Sequence, residues 1–208
     1  MKRLLGFLLF GLFLTGTGQS QDSTQEWIPP FKMLIPAGWR VERFKFPLDF
    51  APEIPLNGFE EARFAPGWAD LQDKWYWSYA FLWSLEGQPL LSDSLLKKYL
   101  TNYYTGLICR NIIDRKIPEG KMVPLLVNLR KTVPDPGDLE TLTGSIRMLD
   151  YMAGQPITLN CSIHKKASNS VNRSFIFFEI SPTPFDKDIW LLLGKIKESF
   201  GYAPKIPQ

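Results

Sequence analysis

The chain has 208 residues, of which 45% are hydrophobic, 14% aromatic and 22% charged, and its formal net charge is +3. So many aromatic side chains can bury a large core, which excludes a largely disordered chain, and the length suits one domain. Lys2 and Arg3 supply two of the three excess positive charges, so the rest of the chain is nearly neutral and is not expected to bind nucleic acid.

The N-terminus has the three parts of a secretory signal peptide. Cations at positions 2 and 3 precede an uncharged apolar stretch at 4–14 and a small, polar stretch at 15–20. The apolar stretch is shorter than the roughly 20 residues that cross a membrane. We therefore predict a cleaved signal peptide at 1–20 and export to the periplasm or the medium, with no membrane span after cleavage; an uncleaved anchor is the alternative. A polar segment at 21–30, a single domain at 31–202 and an extended tail at 203–208 follow.

Alternation of apolar and polar residues between proline- and glycine-rich turns predicts eight strands. They span residues 31–36, 39–46, 57–64, 74–86, 123–133, 139–152, 157–166 and 171–180. Helical periodicity predicts a helix at 92–113, capped by Ser92 or Asp93, and a second at 183–200, capped by Thr183. Pairing Cys161 with Ile176 aligns the last two strands.

The order of these elements is strands, helix, strands, helix, without a regular strand–helix alternation. This order predicts an α+β fold in which a mostly antiparallel β-sheet is covered by two amphipathic helices. A sandwich similar to that of the Mog1 and PsbP proteins has such an order. Because unrelated functions share one fold, this comparison implies nothing about activity.

The strand predicted at 74–86 has a face on which every residue is aromatic. Its members are Trp75, Trp77, Tyr79, Phe81 and Trp83. Alternate strand residues share a face, so we interpret this face as core beneath the two helices, with Trp75 and Trp77 at the mouth of a pocket. Glu60, Glu61 and Arg63, on the preceding predicted strand, are the polar groups expected to converge there.

These residues favour a non-catalytic domain that binds an apolar or carbohydrate ligand at the cell envelope without a cofactor. One alternative is an envelope hydrolase that uses two of four carboxylates. Those carboxylates belong to Glu60, Glu61, Asp70 and Asp73. Another alternative is a structural partner of a second envelope protein, which would bind through Phe175 and Phe177 on the predicted outer face of their strand.

The single histidine, His164, is predicted on the solvent-facing side of its strand, beside Arg173. No Gly-x-Ser-x-Gly sequence presents a serine to it, and one histidine with two distant cysteines is a poor zinc ligand set. We therefore expect no catalytic or metal role for it. Cys109 and Cys161 form a disulfide or remain free thiols, and the sequence leaves both options open.

Two short segments carry a resemblance to other proteins. Residues 59–68 (FEEARFAPGW) and 77–87 (WSYAFLWSLEG) are similar to a stretch in uncharacterised exported bacterial proteins. The segment 59–87 that contains both is about a seventh of the chain. The resemblance implies a bacterial secreted domain, but it implies no particular activity and transfers no site residues.

Overall fold

The computed structural model describes residue 29 and residues 31–168 and 172–202. The predicted signal peptide at 1–20, the tail at 203–208 and all of the polar segment at 21–30 except Pro29 lie outside these ranges. Within the described ranges, no helix has the length and apolar character needed to cross a membrane.

The described residues form an α+β fold, which confirms the predicted class. Its strands are β1 (Phe31–Lys32), β2 (Arg40–Lys45), β3 (Gly58–Phe64), β4 (Tyr79–Glu86), β5 (Leu126–Thr132), β6 (Glu140–Asp150), β7 (Gln155–Ser168), β8 (Arg173–Ser181) and β9 (Gly201–Tyr202). Helix α1 (Asp93–Asp114) follows β4, helix α2 (Asp188–Glu198) follows β8, and a short 3-10 helix at Glu119–Lys121 precedes β5.

Seven strands form one antiparallel sheet in the order β2-β3-β4-β8-β7-β6-β5, and β1 pairs separately with β9. The two helices lie on opposite faces of this sheet. We refer to the face under α1 as the first face and to the face under α2 as the second face. The expectation that both helices cover the aromatic face is therefore wrong, because each face has its own helix.

The first face holds the larger core. Tyr79, Phe81 and Trp83 point into it from β4, and all three are buried. Phe81 stacks on Phe178 of β8 at 4.2 Å and on Tyr103 of α1 at 5.3 Å between ring centroids. Stacked aromatic rings of this kind add to the free energy that burial of their apolar surface provides.

The start of α1 agrees with the prediction. The side-chain oxygen of Ser92 accepts a hydrogen bond from the backbone N–H of Leu95 at 3.2 Å, as an N-cap does. The predicted cap of the second helix is wrong, because α2 begins at Asp188 rather than beside Thr183. Residues 182–187 form an irregular connection in which the Thr183 carbonyl accepts from the indole N–H of Trp190 at 3.1 Å.

The second face is covered by α2 and by the β1–β9 pair. Phe175 and Phe177 lie in this second core, with 2% and 3% of their surface exposed. The prediction that they face outward is wrong, because α2 packs on the side of β8 that alternation alone assigns to solvent. They therefore offer no surface for the structural-partner hypothesis.

The strand predicted at 74–86 begins only at Tyr79. Residues 66–77 form successive turns, and Trp77 ends them with a backbone φ of 55°. A bulky residue seldom adopts this left-handed conformation. Trp77 and Trp75 therefore precede the strand, and Trp75 packs against the second core rather than the first.

The register of β7 and β8 differs from the prediction by four residues. Cys161 pairs with Ile180 rather than Ile176, and His164 pairs with Phe177 rather than Arg173. A shift by an even number of residues keeps every side chain on its face, so the apolar pattern fits both registers equally well. The structure extends β7 to Ser168, which moves the turn by two residues.

Gly106 lies where α1 meets the loop after β2, and replacing it with alanine is expected to destabilise the protein. A Cβ atom at Gly106 would lie 1.7 Å from the backbone oxygen of Phe50. Overpacking of this kind costs about 2 kcal/mol. Urea denaturation of Gly106→Ala measures the loss. Gly120→Ala is the control, because its Cβ would meet nothing within 4 Å. Equal unfolding midpoints for the two variants would contradict the close approach.

Candidate functional site

A pocket of about 300 Å³ lies between the first face of the sheet, the C-terminal half of α1 and the turns before β4. We call it the aromatic pocket. Nine of its fifteen lining residues are aromatic or aliphatic: Phe44, Phe50, Phe64, Trp68, Trp77, Tyr79, Tyr103, Leu107 and Tyr151. The other six are polar or charged: Arg40, Glu42, Glu60, Arg110, Asn111 and Arg115. A mainly apolar wall with a few polar groups is typical of a small-molecule site.

Strand alternation and helical periodicity bring these side chains together. Across β3 and β4, Glu60 pairs with Trp83 and Phe64 with Tyr79, so these four side chains share the first face. Helix α1 contributes Leu107 and three residues that lie three or four positions from it, namely Tyr103, Arg110 and Asn111. Residues at such spacing lie on one side of a helix. The side of α1 that faces the pocket is therefore apolar at Leu107 and becomes cationic toward the C-terminus of the helix, at Arg110.

Glu60 is a fully buried carboxylate in the wall of this pocket. The indole N–H of Trp83 donates to its Oε2 at 2.8 Å, and the Tyr103 hydroxyl donates to its Oε1 at 2.9 Å. Burial raises the pKa of Glu60 to about 7, although the two hydrogen bonds lower it, and the nearby Glu42 carboxylate adds to the rise. Glu60 therefore changes charge near neutral pH.

Three arginines line the same pocket, and each guanidinium lies over an aromatic ring. The distances from Cζ to the ring centroid are 5.2 Å for Arg40 over Phe64, 5.3 Å for Arg110 over Phe50 and 5.8 Å for Arg115 over Tyr151. Arg40 also pairs with Glu42 at 3.1 Å, and Arg110 pairs with Asp49 at 2.7 Å. Cation–π contacts of this kind hold a guanidinium in place while leaving its N–H donors free to bind other groups.

Two indole N–H groups in the pocket wall have no partner. The Nε1 atoms of Trp68 and Trp77 are buried and make no hydrogen bond of normal geometry to any described residue. The Trp77 indole lies near enough to the Tyr76 hydroxyl to oppose the rise in the pKa of Tyr76, but outside hydrogen-bonding geometry. The backbone N–H of Trp77 donates to the Trp68 carbonyl at 3.0 Å, and the two ring centroids are 5.5 Å apart. Unpaired buried donors are rare because each costs free energy, so two at one pocket call for a functional explanation.

The five residues that the sequence suggests for ligand binding do not lie together. Glu60 and Trp77 line the aromatic pocket. Glu61 and Arg63 are on the second face, where Arg63 Nη2 lies 2.6 Å from Glu61 Oε1. Trp75 is also on that side, with the Lys74 ammonium 4.7 Å from its ring centroid. Consecutive strand residues point to opposite faces, so Glu60 and Glu61 cannot line one cleft.

The carboxylates of the hydrolase hypothesis also serve separate local roles. Asp70 Oδ1 accepts from the backbone N–H of Gln72 at 3.0 Å, and Asp73 Oδ1 accepts from that of Trp75 at 2.8 Å. Both contacts are typical of aspartates that stabilise turns. Glycoside hydrolysis needs two carboxylates facing each other across a cleft, and Glu60 and Glu61 do not meet this requirement.

His164 lies in a buried polar cluster rather than on the surface, so the prediction of a solvent-facing histidine is wrong. Its Nδ1 is 2.7 Å from Asp138 Oδ2, and its Nε2 is 2.9 Å from Ser162 Oγ and 3.3 Å from Glu179 Oε2. Serine, histidine and aspartate are thus linked in the order of a hydrolase triad. However, Glu179 shares the nitrogen that would activate the serine, and His164 is only 1% exposed.

The same cluster contains three residues whose ligand atoms lie within 4.8 Å of one another, namely Asp135, Asp138 and His164. Lysines already neutralise both acids. Lys197 of α2 forms an ion pair with Asp135, and Lys166 lies 3.2 Å from Asp138 Oδ1. The pairing lowers the pKa of Asp135. We interpret the cluster as a charge-paired network that stabilises the packing of α2 and of the loop before β6 on the sheet.

The two cysteines are free thiols in the structure. Cys109 is exposed on α1, whereas Cys161 is buried in β7, and burial raises the pKa of the Cys161 thiol to about 12. A thiol with so high a pKa is a poor nucleophile at neutral pH. Cys161 therefore acts as a small apolar side chain of the first core.

No protein-family model matches the sequence, and a search of curated proteins finds no match. Among solved structures, the chain is similar to the solution structure of cyanobacterial PsbP (CyanoP) from Synechocystis sp. PCC 6803. The two share 12% identical residues with a TM-score of 0.41, over 83% of this chain and 86% of that chain. A likeness this distant carries no argument about function, which depends on the site.

Proposed function

We propose that this protein is an exported, non-catalytic domain that binds a small molecule with an apolar ring system in the aromatic pocket. The observation that carries the proposal is the pair of unpartnered indole N–H groups, of Trp68 and Trp77, in a wall made mainly of aromatic side chains. A ligand that accepts hydrogen bonds there would offset the cost of leaving these donors unpaired. The export half of the proposal depends on the sequence of residues 1–20.

The volume of the pocket limits the size of the ligand. Small-molecule sites range upward from about 300 Å³, so a pocket of about 300 Å³ suits a compound of one or two rings. The backbone of Trp77 supports the same proposal, because φ = 55° is a strained conformation for this residue. Strain of this kind is concentrated at ligand sites and active sites, where the surrounding structure maintains it.

Filling part of the pocket is expected to weaken binding without unfolding the protein. Leu107 is a partly buried residue of α1 that lines the pocket. Leu107→Phe places a larger side chain in the space that a two-ring ligand needs. It should weaken the binding of two neutral compounds, 2-naphthamide and 2-naphthol, by about 10-fold or more, which corresponds to about 1.4 kcal/mol of binding free energy. Isothermal titration calorimetry measures the affinities.

Leu95→Phe is the matched control. Leu95 is also a partly buried leucine of α1, but it lies outside the pocket lining, about 18 Å along the helix. This variant should bind both compounds as wild type does. The proposal is overturned if wild type binds neither compound, or if the two leucine variants bind them equally well.

A further inference from the structure

We infer that the ligand of the aromatic pocket carries a carboxylate, which binds the guanidinium of Arg115 beside those of Arg40 and Arg110 and accepts from the unpaired indoles. This inference depends on the proposed function, because it names the chemical class of the ligand for that pocket.

The charged groups of the lining have an excess of cations. Arg40 comes from β2, Arg110 from α1 and Arg115 from the C-cap of α1, so three guanidiniums reach the pocket from two elements. Arg40 and Arg110 have carboxylate partners in Glu42 and Asp49. Arg115 forms no ion pair with any described residue, and its guanidinium lies over the Tyr151 ring. Arginine binds carboxylates through two parallel hydrogen bonds, which gives this free guanidinium a natural ligand.

The pocket lining also has more free hydrogen-bond donors than free acceptors. Arginine and tryptophan side chains only donate, and an ionised carboxylate only accepts. The unpaired indoles of Trp68 and Trp77 add two donors to those of Arg115. The main acceptor in the wall, Glu60, already accepts from Trp83 and Tyr103, one hydrogen bond at each oxygen. A ligand that supplies acceptors therefore fits better than one that supplies donors.

A single negative charge fits better than two. The pKa of Glu60 is about 7, so this side chain is largely neutral below that pH and does not repel an anion. A doubly charged phosphate ester would meet stronger repulsion from Glu60 and Glu42, and it would use more of a pocket of about 300 Å³. A carboxylate on an apolar ring places one charge at the arginines and the ring among the aromatic side chains.

The test compares 2-naphthoate with 2-naphthamide, which has nearly the same shape but no charge. Titration calorimetry is done about one pH unit below the pKa of Glu60, where this side chain is mostly neutral. Wild type should bind 2-naphthoate about 10-fold more tightly than 2-naphthamide, because charge-assisted hydrogen bonds are roughly twice as strong as neutral ones. Arg115→Gln should remove most of this difference, because 2-naphthoate then loses its charged partner and 2-naphthamide loses only a neutral hydrogen bond.

Arg130→Gln is the control, since Arg130 is an exposed arginine of β5 that does not line the pocket. It should bind both compounds as wild type does. Equal affinities of wild type for the two compounds would overturn the carboxylate inference and leave the apolar pocket standing. Binding of neither compound to wild type would overturn the proposed function. Unchanged binding of 2-naphthoate to Leu107→Phe would overturn both the proposed function and the carboxylate inference, because electrostatic attraction at the protein surface would then explain the binding.

Discussion

Replacing Glu61 with glutamine is expected to lower the free energy of unfolding by about 3 kcal/mol, which is a large part of the stability of a single domain. Glu61 and Arg63 form an ion pair on the second face of the sheet, and each side chain is 2% exposed. Removing the Glu61 charge leaves the Arg63 charge buried without an opposite charge beside it, and that arrangement costs far more than the pair itself contributes. Urea denaturation of the purified variant measures the loss.

The surroundings of Arg63 explain why it cannot adapt by moving into solvent. Its Nε donates to the Leu34 carbonyl at 3.0 Å and its Nη2 to the Met33 carbonyl at 3.3 Å, so the guanidinium is held from several sides. Burial lowers the pKa of Arg63, and the Glu61 carboxylate counteracts this effect. Without Glu61, burial acts on the guanidinium unopposed, although it remains charged at neutral pH.

Glu42→Gln is the matched control, because Glu42 lies on the neighbouring strand and its partner Arg40 is 63% exposed. Exposed ion pairs are worth about 0–1 kcal/mol, so this variant should unfold close to the wild-type midpoint. If Glu61→Gln also unfolds there, the buried pair is not a structural one. Glu61→Gln should bind 2-naphthamide normally once folded, because Glu61 lies on the face away from the pocket.

Much of the fold was predictable because local patterns determine it. The cap at Ser92, the apolar stripe of α1 and the strand β3 are all properties of short segments, and the structure has each of them. The register of β7 with β8 depends instead on which even-numbered shift gives the best packing across the sheet. In the structure β7 continues two residues beyond its predicted end, so the turn after it moves by two residues and the register shifts by four. The apolar pattern is the same in both registers.

The candidate site was predictable only in part, for two physical reasons. Alternation identifies two faces but not whether the second is covered, so the pattern places His164 and Phe177 toward solvent. In the structure α2 packs over Phe177, and Asp138 of the loop before β6 contacts His164. The aromatic repeat that starts at Trp75 in the sequence is interrupted by a left-handed residue at Trp77, which no periodicity reveals. A signal was present for one missed pocket residue, since Arg110 continues the helical stripe of Tyr103 and Leu107.

Replacing Glu60 with glutamine is expected to have the opposite effect to Glu61→Gln and to make the protein more stable above neutral pH. The pKa of Glu60 rises from its ordinary value of 4.5 to about 7 in the folded protein. A raised carboxyl pKa means that the folded state holds the proton longer than the unfolded state. The stability that this proton contributes is complete below pH 4.5 and is lost as the pH rises through about 7.

The size of this effect follows from the shift. Each pKa unit corresponds to about 1.4 kcal/mol, so roughly 3 kcal/mol is lost in wild type between the two pKa values. Glutamine resembles the neutral acid: its carbonyl accepts from Trp83, and its amide faces Tyr103, whose hydroxyl can also accept. Glu60→Gln should therefore lack this loss, so that its unfolding midpoint exceeds that of wild type above pH 7 but not below pH 4.5.

Denaturation across this pH range measures the difference, and Glu119→Gln, at an exposed glutamate, should follow wild type throughout. Curves for Glu60→Gln and wild type that stay parallel would show that no buried carboxyl titrates there.

The same variant connects stability with binding, because ionised Glu60 in the pocket wall repels a carboxylate ligand. The affinity of wild type for 2-naphthoate should therefore fall as the pH rises through about 7, whereas that of Glu60→Gln should stay constant. Neighbouring charges from Glu42 and the three arginines are the same in both proteins, so the difference isolates the proton on Glu60.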